Sequence, residues 1–221
     1  MRPLSPRAHP KTVSREPDSE IHIAAIGGSV RPGSYTLKAL QVVAEELASR
    51  KGVSVDVIDP ATLHLPPPGL DEGSASVQAL RGRVRAATGV VLATPEYHGS
   101  FSSVIKLVIE NLGFPSVLAG KPVALLGVAQ GRIGAVKSLE SLPGVCLHVG
   151  AIVLPGSVSV AQVHTAFEAA GRPSDAAVER QLRRLASGLI DYIRGAICPR
   201  VALEAMVRAQ EEAERPQRNA G

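Results

Sequence analysis

Tryptophan is absent from this 221-residue chain, and tyrosine and phenylalanine occur only three times each. So few aromatics argue against a surface that binds single-stranded nucleic acid by stacking bases on repeated Phe, Tyr or Trp platforms. Lys and Arg outnumber Asp and Glu by 24 − 20 = 4, but the excess is scattered and forms no basic block able to track a phosphate backbone. Cysteine is equally scarce. Cys146 and Cys198 have neither metal-ligand nor CxxC spacing, and two such thiols read as reduced residues of a cytoplasmic protein, with Cys146 in the core. No metal site is indicated either, because His98 has no partner at helical spacing and His22, His64, His148 and His164 are dispersed singly. No apolar run approaches the ~18 residues of a membrane span, so a soluble protein with no membrane and no nucleic-acid partner is expected. Residues 1–20 mix basic, acidic and proline residues without an apolar h-region, and read as a disordered tail rather than a secretory signal.

What the chain does have is aliphatic side chains, within a composition 45% hydrophobic, punctuated by 21 glycines and 17 prolines that cluster between apolar runs. Residues 21–26 form a short apolar run that stops at Gly27-Gly28-Ser29, a buried strand entering a turn. Leu37, Leu40, Val43, Ala44 and Leu47 then recur at helical spacing over 36–50, with Ser34 placed to cap that helix. Residues 53–58 alternate as a strand does and stop at Asp59-Pro60, and 77–87 predict a second helix. The run 89–93 has the continuous apolarity of a strand buried on both faces, ended by Thr94-Pro95. A helix over 102–112, a strand over 123–129, a helix reaching about Leu142, a fifth strand over 149–154 and a long amphipathic helix over 175–197 complete the pattern. The chain divides into the tail at 1–20, one domain at 21–198 and a charged helical extension at 199–221.

Five strands alternating with helices predict an α/β fold whose parallel sheet is covered on both faces, since parallel neighbours need crossover connections. The strand count favours a flavodoxin-like three-layer sandwich with a five-stranded parallel sheet in the order 2-1-3-4-5. In such sheets ligands bind outside the carboxyl ends of the strands near the switch point, here between the first and third. The chemistry should therefore lie after residues 26, 93 and 129.

The first of these loops, Gly28-Ser29-Val30-Arg31-Pro32-Gly33-Ser34-Tyr35-Thr36, is rich in hydroxyls and feeds a helix N-terminus. Free N–H groups, the helix dipole, Ser29, Ser34, Thr36 and Arg31 suit a terminal phosphate, although a Ser-capped helix after a glycine turn with an exposed arginine fits the same residues. Neither GxxxxGK[ST] nor GxGxxG is present, which removes support for a nucleoside triphosphate or a Rossmann-type dinucleotide site. The second loop, Thr94-Pro95-Glu96-Tyr97-His98-Gly99-Ser100-Phe101, sets a fixed proline, an acid, an aromatic and an imidazole at a strand end, where backbone groups of 96–99 could meet the edge of a flat polar heterocycle. A polar surface turn with Tyr97 covering the core remains open. The third loop is Gln130-Gly131-Arg132-Ile133-Gly134.

Taken together, GSVRPGSYT at 28–36, TPEYHGSFSSVIK at 94–106 and VAQGRIG at 128–134 resemble the NADPH-dependent FMN reductase family, over roughly residues 21–197. PEYHG is the most specific of the three. The resemblance implies a flavodoxin-like, oligomeric enzyme, a homodimer or homotetramer, that uses FMN and NADPH (or NADH). Its acceptors would be free flavin, quinones, azo dyes or chromate, small molecules reached by ping-pong hydride transfer through the bound FMN. It places the FMN phosphate and ribityl chain on Ser29, Arg31, Ser34, Tyr35 and Thr36, the ring against Pro95, Glu96, Tyr97, His98 and Gly99, and Gln130 and Gly131 at the ring's far side. No side chain is required as a catalytic acid or base, because the flavin carries the chemistry. The chain departs from the family pattern at Thr36, where Asn is frequent. It departs again at Lys106-Leu107-Val108-Ile109-Glu110-Asn111, where the family commonly has Lys-Asn-Ala-x-Asp-Trp; that helix commonly contributes to subunit contact.

Three other functions compete. An FMN-binding electron carrier or sensor would use the same loops without NADPH turnover of its own. A serine hydrolase would need Ser29 or Ser100 in a GxSxG elbow, and neither is in one. A silent α/β scaffold would leave the three loops unexplained.

Overall fold

In the computed structural model, which describes residues 21–168 and 170–218, four parallel strands form the main body of the sheet. They are β1 (Ile21–Gly27), β2 (Val53–Ile58), β3 (Gly89–Tyr97) and β5 (Pro122–Val128). The predicted tail at 1–20 lies outside the described residues. β1, β3 and β5 are each matched by an apolar run in the sequence because both of their faces are covered, whereas β2, at the edge, alternates and is mostly half-buried. In β1, Ile23 and Ala25 pack on one side with α1 (Tyr35–Ala48) and α5 (Ala176–Tyr192), while Ala24 and Ile26 pack on the other with α2 (Ala75–Ala86), α3 (Ser103–Asn111) and α4 (Val136–His148). Within β5 the same alternation sends Ala124 and Leu126 to the first layer and Val123 and Leu125 to the second. With so few aromatics the two cores are aliphatic, and each fully buried Leu, Ile or Val contributes roughly 1.5–3 kcal/mol.

The strands run parallel in the order β2-β1-β3-β5, and two short strands, β6 (Ile152–Val153) and β7 (Val158–Val160), both pair with β5 at the far edge. This is the predicted 2-1-3-4-5 arrangement with the fifth position split. The expected strand at 149–154 shrinks to two residues because α4 runs on to His148, with Val149 as its C-cap. That helix was expected to end near Leu142. It continues through Pro143 because Leu142 and Cys146 bury on the same face, one turn apart, and outweigh the hydrogen bond a proline removes.

Two other boundaries move. β3 does not stop at Thr94-Pro95 but extends to Tyr97, where β4 (Ser100–Phe101) folds back on it antiparallel. The helix expected over 175–197 is α5 with Asp175 as its N-cap, then one π-helical turn at Ile193–Ile197, then α6 (Cys198–Arg218). Among the described residues no helix is long and apolar enough to cross a membrane. Burial in the α4 layer pushes the Cys146 thiol up to about 12, so it packs as a small hydrophobe and is not a nucleophile at neutral pH.

Edge strand β2 is held to α2 by a two-pronged ion pair: Arg83 donates from Nε to Asp56 Oδ2 (2.7 Å) and from Nη2 to Asp56 Oδ1 (2.6 Å). The Arg83 guanidinium holds the Asp56 carboxyl below the ordinary aspartate range, outweighing partial burial, which acts the other way. A lowered folded-state value contributes stability that is full above the ordinary pKa of about 4 and is lost as pH falls through the lowered value. Asp56→Asn should therefore cost about 1 kcal/mol at pH 7, since the pair is partly solvent-screened. The gap from wild type should close in urea melts run at acid pH; a gap that does not change with pH would mean that the carboxylate charge contributes nothing.

Candidate functional site

The register of the parallel pairs brings three strand ends side by side. Gly27 of β1 stands opposite Ala93 of β3, and Pro95 of β3 opposite Val128 of β5. The loops that leave these strands share one edge of the sheet, as the switch-point argument requires.

In the first loop Ser29 is buried and its Oγ accepts from Arg31 N (3.3 Å), which turns the chain toward α1. Ser34 caps that helix, its Oγ accepting from Thr36 N (3.2 Å), and Ser34 N donates to Arg31 O (3.2 Å). Thr36 is buried and Arg31 is exposed. The Tyr35 ring is engaged elsewhere: it lies tilted on Phe167, centroids 6.4 Å apart, with Lys38 Nζ 4.9 Å from its centroid.

The second loop is a tight hairpin. Tyr97 pairs with Ser100, and the turn between them is His98 (φ 50°) and Gly99 (φ 72°). Two positive φ values in a two-residue connection define the turn that matches the twist of paired strands, so position 98 wants a residue that tolerates the left-handed region, as histidine does. His98 and Gly99 lie at the tip outside the ladder, Pro95 is buried beneath them, and Tyr97 is 42% exposed.

Below the hairpin runs a buried relay. Thr94 Oγ1 accepts from Ser102 N (3.0 Å) and donates to Pro95 O (2.9 Å). Ser102 Oγ in turn donates to Gly28 O (2.6 Å) and accepts from Ile105 N (3.1 Å), so it caps α3 and ties the first loop to the second. Both hydroxyl residues are essentially inaccessible to solvent. The cap at Ser102 is legible in the sequence as a serine opening a helical pattern; its long-range bond to Gly28 has no sequence signal.

Gln130, Gly131, Arg132 and Ile133 of the third loop are exposed. Their base is anchored by Ala129 N donating to Val160 O (2.9 Å), Gln162 N to Gly131 O (3.1 Å) and Ala135 N to Ser159 Oγ (2.8 Å). Glu96 also reaches this region: its Oε2 accepts from Ser138 N (3.0 Å) in the first turn of α4.

Residues 21–165 match the NADPH-dependent FMN reductase family. The chain belongs to that family. An NAD(P)H-dependent FMN reductase of Pseudomonas aeruginosa is 30% identical over 187 residues, which span 79% of this chain and 96% of the relative. A 2-hydroxy-1,4-benzoquinone reductase of a Burkholderia species is 29% identical over 138 residues, 61% of this chain and 74% of the relative. Among solved structures, the flavoenzyme FerB, an NAD(P)H:(acceptor) oxidoreductase of Paracoccus denitrificans, superposes with a TM-score of 0.69 at 26% identity, covering 79% of this chain and 98% of that one. As a member of the FMN reductase family, the chain is an oxidoreductase that uses FMN with NADPH or NADH.

The residues present fit FMN. Gly33 (φ 66°), Gly99 and Gly131, one from each loop, all have open space within 4 Å of where a Cβ would stand. The same loops supply the hydroxyl-rich start of α1, the exposed Arg31 and the hairpin tip, a donor set suited to a phosphomonoester and to a polar ring edge. Among the described residues no three His, Cys, Asp or Glu side chains gather as a metal site.

Because Ser102 caps α3 and also holds Gly28, its replacement by alanine removes two buried hydrogen bonds at once. Ser102→Ala should lower stability by about 1–2 kcal/mol and the melting temperature with it. A melting curve superposable on wild type would show that the relay does not hold the loops.

Proposed function

We propose that this FMN reductase family member transfers two electrons from NADPH or NADH, by way of FMN, to quinones, free flavin, azo compounds or chromate. The observation that carries the reading is that the three loops leave the adjacent ends of β1, β3 and β5, each bearing a glycine with open surroundings. When bound, FMN would supply the redox chemistry between NAD(P)H and the acceptor.

The protein's part is to bind, orient and exclude. Ser29, Ser34 and Thr36, with the N-terminus of α1, form the seat for the phosphate and ribityl hydroxyls, and Arg31 adds a charge-assisted contact. Tyr35 contributes through its main chain and by bracing Lys38 and Phe167. Pro95, Glu96, Tyr97, His98 and Gly99 border the ring on one side, the turn residues offering backbone groups to its polar edge, and Gln130 and Gly131 border it on the other. Backbone N–H groups of these two loops would stabilise negative charge on the reduced cofactor. Val30, Tyr97 and Ile133, one from each loop, are 50%, 42% and 83% exposed, so the mouth presents apolar surface suited to flat, weakly polar acceptors.

A cytoplasmic setting agrees with two cysteines that form no disulfide. A homodimer or homotetramer formed through the α3–α4 face would cover Phe114 and Leu147, which are 86% and 59% exposed.

The direct test is an ultraviolet–visible spectrum. Purified protein should carry or take up FMN, lose the flavin absorbance on adding NADPH and recover it on adding a quinone. No bound flavin after incubation with excess FMN would overturn the reading. Arg31→Ala should weaken FMN binding by about tenfold, the low end for a charge-assisted bond because the guanidinium is solvent-exposed. An unaltered FMN dissociation constant would take Arg31 out of the site.

A further inference from the structure

Helix α4 begins without a cap of its own. Its N-cap residue is Ala135, which has no side-chain acceptor, and the backbone there (φ −95°, ψ 38°) leads straight into the first turn. A helix start needs acceptors for its first N–H groups, and its dipole favours a negative one. Here the acceptor comes from 42 residues upstream, as Glu96 Oε2 receives the Ser138 N–H at 3.0 Å. While its main chain lies in the hairpin ladder opposite Phe101, the Glu96 side chain makes no other hydrogen bond or ion pair among the described residues, so the carboxylate's one protein contact is with α4. Ser138 is fully buried, and its own Oγ is the one buried side-chain polar atom without a partner among the described residues; the contact is made by the main chain alone.

The position of this bond matters. Glu96 is one residue before Tyr97 and the hairpin tip, while Ser138 follows the exposed loop 130–133 by one helical turn. At the base of that loop Gly127 allows α4 to come close, since a Cβ there would stand 2.6 Å from Ala135 Cβ. The Glu96–Ser138 bond joins the same two segments a second time, from the last residues of β3 to the first turn of α4.

We infer that Glu96 is a positioning residue: its carboxylate latches the β3 hairpin to the first turn of α4 and so sets the separation of the two loops that border the cofactor ring. This rests on the FMN placement proposed above, and it assigns the Glu96 side chain to the protein and not to the cofactor.

Two variants and two readouts test it. In the FMN-free protein, amide hydrogen exchange of residues 130–138 reports the latch; FMN dissociation constants from quenching of flavin fluorescence report its effect on the site. Glu96→Ala should speed exchange of that segment and weaken FMN binding, each by roughly tenfold, the scale of a lost charged helix cap. Glu96→Gln keeps an oxygen acceptor of the same reach and should restore most of both. Wild-type exchange rates in Glu96→Ala would overturn the latch, whether or not FMN binding fell, because a loss of binding alone would mean direct contact with the cofactor. Faster exchange with unchanged FMN binding would overturn the positioning role. If wild-type protein bound no FMN, the cofactor reading would fail instead, and the exchange arm would still report on the latch.

Discussion

Gly28 is where the first and third strands come too close for a side chain. A Cβ at this position would lie 2.6 Å from Ala93 O and 3.0 Å from Ile105 Cβ, and the Gly28 carbonyl takes the Ser102 hydroxyl at 2.6 Å. Only because the chain is bare here can the first loop leave β1 flush against β3, and only because Ser102 caps α3 is its hydroxyl aimed at that loop. Loop position and the start of α3 are thus tied together by one side chain. The parallel sheet supplies the coarse alignment by stacking Gly27 against Ala93 and Pro95 against Val128. The Thr94–Ser102–Gly28 relay supplies the fine alignment, and it can do so because it is buried, where hydrogen bonds do not compete with water.

The central strands were legible because burial on two faces forces continuous apolar sequence, and 21–26, 89–93 and 123–129 all have it. The edge of the sheet was not. An edge position needs only enough pairing to satisfy β5, so two short pieces, Ile152–Val153 and Val158–Val160, serve in place of one strand. Local sequence also misled at prolines. Pro95 and Pro143 both look like stops, yet β3 and α4 run through them, since Pro95 sits where the strand becomes a hairpin and Pro143 lies in a helix whose Leu142 and Cys146 are buried on either side of it. Tertiary packing overrides propensity where the flanking residues are this well buried.

The candidate site was legible to a different depth. Hydroxyls before a helix pointed to an anion seat, and the family resemblance put the ring beside residues 95–99. What sequence could not give was the division of labour within the second loop. His98 and Gly99 form the turn, Pro95 supports it from below, and the Glu96 side chain is bound to α4. One sign was available: Ala135 stands where a self-capped helix would have Ser, Thr, Asp or Asn. A helix that opens on alanine must find its acceptor elsewhere, and an acidic residue in a neighbouring loop is the natural source.

The scarcity of aromatics takes its meaning from the same geometry. Tyr35, Tyr97 and Phe101 all occur in or beside the first two loops, but they are not equivalent. Tyr35 is held between Phe167 and Lys38, and Phe101 packs against the core beneath α3 and α4. Tyr97 alone of the three is exposed, as are Val30 and Ile133 of the other two loops, which in the proposed site would complete an apolar rim. Aromatic pairs prefer defined offsets and tilts, whereas contact with aliphatic side chains depends mainly on the area buried. A rim with one aromatic and two aliphatic members therefore places few directional demands on what stacks there. That is the property a site needs if a nicotinamide and then a chemically different acceptor are to occupy the same space in turn.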